Sequence, residues 1–200
     1  MRILLVSPAG SDLYAKLGTQ LPPLGLLYIA AFARNGGHQV EVIDFSIDKH
    51  ALSNVHLARF DLVGISADTP RYPEAVKVAK HVKEVGIPVV MGGYHVTFLD
   101  AEALNTGFVD FVVRGEGEEI FLNLVNALEN KSDLSKIDGI SYLDGGKFVR
   151  NKNARVPENL DNFPLPARNL LPLEKYKGKI VGVPLANLIT SRGCPYDCSF

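Results

Sequence analysis

Over its first 130 residues the chain alternates short β-rich runs with amphipathic helical stretches, and that alternation constrains the fold more than any other feature. Ile3–Val6 is apolar and stops at Ser7-Pro8. Gln39–Asp44 alternates apolar and polar with period two. Leu62–Ile65, Pro88–Met91 and Val109–Val113 are apolar, β-branched runs that end at Ser66, Gly92-Gly93 and Arg114-Gly115. Between them, Pro23–Asn35 and Pro73–Val85 place apolar residues three and four apart and meet Gly36-Gly37 and Gly86, which are helix stops. Glu118–Asn130 does the same, with early acids suited to the positive end of a helix dipole. Asp48–Ala58 and Asp100–Asn105 are shorter, weaker helical patterns.

Strand and helix in this rhythm imply right-handed βαβ crossovers and a parallel sheet covered on both faces. The expected fold is α/β: a doubly wound, five-stranded parallel sheet, flavodoxin-like (Rossmann-like), with strand order 2-1-3-4-5. Ligands of such sheets bind outside the carboxyl ends of the strands, where the winding reverses. The loops after strands 1, 3, 4 and 5 are therefore the functional candidates. Beyond residue 131 the texture changes. Gly139–Arg150 reads as strand, Asp-Gly turn, strand, a β-hairpin. Val156–Pro172 carries Pro157, Pro164, Pro166 and Pro172, an extended linker that leans on other surfaces. Ile180–Thr190 is apolar again and starts a further strand. The organisation expected is 1–130, 131–178 (hairpin and Pro-rich linker) and 179–200.

Charge and cysteine usage narrow the function. With 21 basic and 22 acidic residues the net charge is −1, which argues against a nucleic-acid partner held by phosphate neutralisation. Hydrophobic residues are 46% of the chain, too many for a disordered one. No apolar run approaches the ~20 residues of a membrane span, and the N-terminus lacks the apolar core and cleavage site of a signal peptide. The expected location is the cytoplasm, with no membrane association. Both cysteines, Cys194 and Cys198, fall in the last seven residues, where a disulfide framework would scatter them.

Each strand-end loop has a functional and a plain reading. The Gly92-Gly93-Tyr94-His95 loop either lets a ligand approach the backbone closely or is a simple turn with a surface histidine. The hydroxyls of Ser66 and Thr69 either bond a ligand or cap the next helix. Gly115 and Glu116 either border a site or belong to a helix start. His38, His50, His56 and His81 read as satisfied surface histidines away from the cleft. A phosphoacceptor domain is excluded, because strand 1 ends without clustered acids, strand 3 ends in Ser66 rather than Asp, and strand 5 ends in Arg114 rather than Lys. A dinucleotide site is excluded because the first βα loop lacks G-x-G-x-x-G. Cys194 and Cys198, four apart, suit a metal or an iron–sulfur cluster, but a four-iron cluster needs at least a third ligand.

Taken together, these motifs resemble the radical SAM family, in its branch with an N-terminal cobalamin-binding domain. That family carries C-x3-C-x2-C. Cys194 and Cys198 match its first two positions, and the third cysteine is expected directly after Phe200. Phe200 stands where the family has an aromatic that packs by the adenine of S-adenosylmethionine. Leu21–Ala30, Gly36–Val40 into Asp44, Gly92–His95, Arg114–Glu118, Asn162–Arg168 and Thr190–Pro195 each resemble a family segment, in the family's order. The resemblance implies cobalamin in the first region, held by Ser7, Ser66, Thr69, Gly92, Gly93, His95, Gly115 and Glu116. It further implies a [4Fe–4S] cluster on Cys194 and Cys198, reductive cleavage of S-adenosylmethionine to a 5′-deoxyadenosyl radical, and the protein's own radical SAM barrel as the domain's partner. The chain is then expected to stop within the cluster motif and to be inactive alone.

One family feature is missing. Cobalamin domains often carry D-x-H-x-x-G after strand 1, whose histidine ligates cobalt. Here no histidine precedes His38. The resemblance therefore implies cobalamin without that axial ligand. It also leaves a reading from another class, a structural or docking domain without cofactor.

Overall fold

A computed structural model describes residues 1–10, 20–48, 50–176, 179–180, 183–193 and 196. Five parallel strands form as the sequence predicts: β1 (Arg2–Ser7), β2 (Gln39–Asp44), β3 (Leu62–Ser66), β4 (Val89–Gly92) and β5 (Phe111–Val113). They lie in the order β2-β1-β3-β4-β5. β1 is central, with Ile3 to Ser7 all buried, so it reads as a continuous apolar run. β2 is the edge strand, and only one of its faces is covered. Val40 and Val42 are buried while Gln39 and Glu41 are exposed, which is the source of its period-two pattern.

The helices divide between the two faces. α1 (Leu24–Asn35) and the last helix, α5 (Gly117–Asn130), pack together on one face. There Leu27, Ala30, Phe121 and Leu124 meet Ile3, Leu5 and Leu62. On the other face lie α2 (Tyr72–Glu84) and two short helices, α3 (Tyr94–Phe98) and α4 (Asp100–Asn105). Val78, Val82, Val96 and Leu104 cover Leu4, Val6, Val63 and Met91. Each large apolar side chain withdrawn from water contributes on the order of 1.5–3 kcal/mol. Among the described residues of 48–58 the expected helix does not form. That crossover makes two 3-10 turns, Ala51–Asn54 and Leu57–Arg59. Ser53, Asn54 and His56 are weak helix formers, and only Leu57 of the second turn is buried, too little packing to stabilise a full helix.

The hairpin forms and continues the same sheet. β6 (Ile140–Asp144) pairs antiparallel with β5, and β7 (Lys147–Arg150) pairs antiparallel with β6, giving seven strands in all. A buried carboxylate joins this extension to the parallel core. Asp100 accepts a hydrogen bond from Ser141 Oγ at 2.6 Å and from Arg150 Nη1 at 2.8 Å. The Arg114 Nε lies 3.6 Å from its Oδ2. Arg114 is itself buried and donates to Asn153 Oδ1 and to the carbonyls of Ile140 and Asn151. Burial, and then the Arg150 charge, lower the Arg114 pKa against the pull of Asp100.

The proline-rich segment docks along α1. Phe163 meets Phe32 edge to face at 4.7 Å, and Ala167 N–H donates to Leu27 O at 3.0 Å. Asn187 Nδ2 donates to Pro22 O at 2.9 Å, and Arg168 donates to Asn187. Tyr176 O–H donates to Asp44 Oδ2 at 2.7 Å at the end of β2. The strand expected from Ile180 onward is reduced to an antiparallel pair, β8 (Lys179–Ile180) with β9 (Val183–Pro184). Among the described residues no helix is long and apolar enough to cross a membrane.

Two predictions follow from these ties. Asp100→Ala leaves Arg114 buried without its carboxylate and lowers stability by about 3–5 kcal/mol, read from urea unfolding midpoints. A change under 1 kcal/mol would show that the network is dispensable. Burial first, then the Asp44 charge and hydrogen bond, raise the Tyr176 pKa far above its ordinary value. A raised folded pKa means that this stabilisation is complete below the unfolded value of about 10 and declines as pH climbs beyond it. Alkaline unfolding of Tyr176→Phe should lack that decline, and an unchanged profile would refute the coupling.

Candidate functional site at the carboxyl edge of the sheet

The carboxyl ends of β1, β3 and β4 form one ledge. Ser7 pairs across to Asp44, Val6 stands beside Ile65, and Ser66 stands beside Gly92. Of the sequence candidates, Ser7, Ser66, Thr69, Gly92, Gly93 and Gly115 are all brought to this ledge or the loops directly after it. Ser7 is buried, Ser66 half-buried and Thr69 exposed. Thr69 opens a 3-10 turn, Thr69–Arg71. The cap of that turn is Asp68, whose Oδ1 accepts from Arg71 N–H at 3.0 Å, so neither Ser66 nor Thr69 is committed to capping.

Backbone bonds lace three of the loops together. Ala67 N–H donates to Gly92 O at 2.9 Å, and His95 N–H donates to Ala67 O at 3.3 Å. Thr97 Oγ1 donates to Gly93 O at 2.9 Å and accepts from Gly115 N–H at 3.0 Å. The stretch after β4 is thus a helix beginning at Tyr94, where the sequence suggested an open loop. Gly93 is required by this packing. Its φ is +103°, and a Cβ there would stand 2.5 Å from Ala67 O. Gly115 also has positive φ, +75°, but a Cβ there meets nothing within 4 Å.

His95 is buried, where the plain reading expected a surface histidine. Its ring stacks on Tyr72 with centroids 3.9 Å apart. Nδ1 lies 3.3 Å from Thr69 Oγ1, and Nε2 lies 3.7 Å from Glu102 Oε1 without a hydrogen bond. Burial, then the Glu102 charge, raise the Tyr72 pKa. One ring nitrogen thus meets Thr69, and the other is buried without a hydrogen-bond partner. Tyr72 and Glu102 had no sequence signal, since only the fold brings them to His95. His38 also departs from its surface reading. It is buried, with Nε2 3.0 Å from Asn126 Oδ1 and Nδ1 3.1 Å from the N-terminal amine, so it is satisfied but interior.

Glu116 lies at the start of α5 and pairs with Arg192 Nη1 at 2.6 Å, while Arg192 Nη2 lies 2.7 Å from the buried Glu118 Oε1. The guanidinium also sits over Tyr28 and Phe163, 5.2 and 5.4 Å from their ring centres. Burial works to lower the Arg192 pKa, but its bond to Glu118 and the two carboxylate charges outweigh it and raise the value. Cys194, Cys198 and Phe200 lie outside the described residues. Beside the ledge, α3 presents an apolar rim: Tyr94 is 82% exposed and Phe98 78%, with Leu99 next to them.

A doubly wound domain binds its ligands at this edge of the sheet, and among the described residues the edge carries hydroxyls and glycines. The B12 binding domain family matches residues 10–125, more than half of the chain, and the chain belongs to that family. An uncharacterized methyltransferase of Pyrococcus horikoshii is 42% identical over 209 residues, covering 100% of this chain and 45% of that protein. The anaerobic magnesium-protoporphyrin IX monomethyl ester cyclase of Rubrivivax gelatinosus is 31% identical, covering 100% of this chain and 38% of the cyclase. The chain thus spans less than half the length of these relatives. Among solved structures, the cobalamin-dependent S-adenosylmethionine radical enzyme OxsB with aqua-cobalamin bound superimposes with TM-score 0.72 at 19% identity, over 88% of this chain and 25% of OxsB. The radical S-adenosylmethionine methyltransferase TsrM of Kitasatospora setae, with cobalamin and a [4Fe-4S] cluster bound, gives 0.64 at 22%, over 76% of this chain and 30% of TsrM. These matches support a cobalamin-holding domain over the cofactor-free docking domain.

The ledge fits a corrinoid. A flat macrocycle edged with amides suits small hydroxyls, glycines and an apolar rim, and the described residues supply all three. Gly93→Ala should cost about 2–4 kcal/mol in urea unfolding, from its glycine-only backbone and the overlap at Ala67. Gly115→Ala should cost about 1–2 kcal/mol, from its backbone alone. Equal losses would show that Gly93 is not held by Ala67.

Proposed function

We propose that the full-length protein is a cobalamin-dependent radical SAM enzyme that transfers a methyl group or forms a ring, working in the cytoplasm with no nucleic-acid partner. In this reading the present chain holds the corrinoid and begins the iron–sulfur site. The family match over residues 10–125 carries the first half of this reading. The Cys194–Cys198 spacing supports the second, with the third thiolate supplied beyond Phe200 by the protein's own barrel. Two cysteines kept together also suit a reducing compartment better than a disulfide role. When bound, cobalamin supplies a methyl carrier, and the cluster with S-adenosylmethionine supplies a radical.

The chain's own contribution is binding and orientation. Ser7, Ser66 and Thr69 offer hydroxyls to the corrin amides and the nucleotide tail. Gly92, Gly93 and Gly115 offer their backbone groups for close contact, and at Gly115 a Cβ would stand in open space. His95 acts behind them, through Thr69, and its burial against Tyr72 withholds it from cobalt. Glu116 serves through its pairing with Arg192 rather than by touching the cofactor. Phe200 would pack beside the adenine of S-adenosylmethionine.

Purified protein mixed with hydroxocobalamin should keep the colour through a desalting column. The paramagnetic cob(II) form should show no nitrogen splitting from a protein imidazole. Loss of all cobalamin from a folded sample would overturn the assignment, and a histidine nitrogen signal would overturn the role given to His95.

A further inference from the structure

Arg192 stands where two parts of the chain meet, and four groups hold it. Its guanidinium bridges Glu116 Oε2 at 2.6 Å and Glu118 Oε1 at 2.7 Å. Its faces are covered by Tyr28 from α1 and Phe163 from the proline-rich segment. The side chain is 12% exposed and the Glu118 side chain 5%. Two carboxylates and two aromatic rings, drawn from three separate elements, converge on one cation. Only a planar fork reaches both carboxylates while lying against the rings.

The position of this node in the fold gives it meaning. Glu116 follows Gly115, whose N–H is tied through Thr97 to Gly93 on the ledge. On the other side, the chain that leads to Arg192 is anchored along α1 at Phe163, Ala167 and Asn187. Cys194 follows Arg192 by two residues, a reach of at most about 7 Å of extended backbone. Whatever holds Arg192 therefore limits where the first thiolate can emerge relative to the ledge.

We propose that Arg192 is a positioning residue that, through Glu116 and Glu118, holds the chain entering the cysteine pair against the start of α5, beside the corrinoid ledge. The proposal rests on the cofactor reading above. Without the clamp, the bonds at Asn187 are the ties that remain to residues 185–193 among the described residues. Group transfer between two cofactors is sensitive to their placement, because a displacement near 1 Å costs on the order of a hundredfold in rate.

The test uses the full-length protein with cobalamin and cluster loaded, as wild type, Arg192→Ala and Arg192→Lys. The readout is the magnetic dipolar coupling between cob(II) and the reduced cluster, with cobalamin and iron content measured on the same samples. Both variants should keep both cofactors while the distance distribution broadens. Lysine should fail to rescue, since it cannot span two carboxylates. A distance distribution identical to wild type in both variants would overturn the proposal, as would full rescue by lysine. Limited proteolysis gives a reading independent of cofactor. Chymotryptic cleavage at Leu188, which is 78% exposed, should speed up in Arg192→Ala while β1 and β3 stay uncut, and an unchanged rate would also overturn it. Failure of the wild type to retain cobalamin is a different result. It would refute the cofactor reading and the distance role with it, while cleavage at Leu188 still decides whether Arg192 holds the segment.

Discussion

Parallel pairing of β1, β3, β4 and β5 is the constraint on which everything else rests. It places every carboxyl end on one edge and forces the connecting helices onto the two faces. Ser7, Ser66 and Gly92 become neighbours because their strands run in register, although they lie far apart in the chain. The apolar interior of those strands makes the arrangement stable. A one-residue slip of the partly covered β2 would turn Val40 and Val42 to solvent and Glu41 inward.

The loops on that edge are held by backbone bonds, and this changes what their residues are for. Gly93 is a packing requirement of the β4–α3 junction, and His95 is a buried support for Thr69. A motif that looks like a row of ligand contacts is thus half scaffold. The same logic holds for Arg114, whose buried guanidinium binds the β6–β7 extension to the core and leaves Gly115 and Glu116 at the rim.

The proline-rich segment is part of this frame as well. Its prolines keep it extended, so it can lie along α1 and exchange side-chain and backbone bonds with the domain over much of its length. In the chain that follows it, Tyr176 bonds at the end of β2 and Arg192 at the start of α5.

The sequence alone determined the winding, the strand order and the position of the ledge. Hydrophobic period, glycine stops and helix caps act over a few residues and need no tertiary context. The glycine pair, the strand-end hydroxyls and the two cysteines were legible for the same reason, as local patterns of residue type. The weak 48–58 helix was misread because its stability depends on packing that local pattern does not reveal. Tertiary structure alone decided that His95 and His38 are interior, that Gly93 serves Ala67, and that the hairpin extends the sheet. It alone brought Arg192 to Glu116 and Glu118 across more than seventy residues. Those outcomes depend on which surfaces meet after folding. A buried charge is stabilised only by partners that distant parts of the chain bring to it.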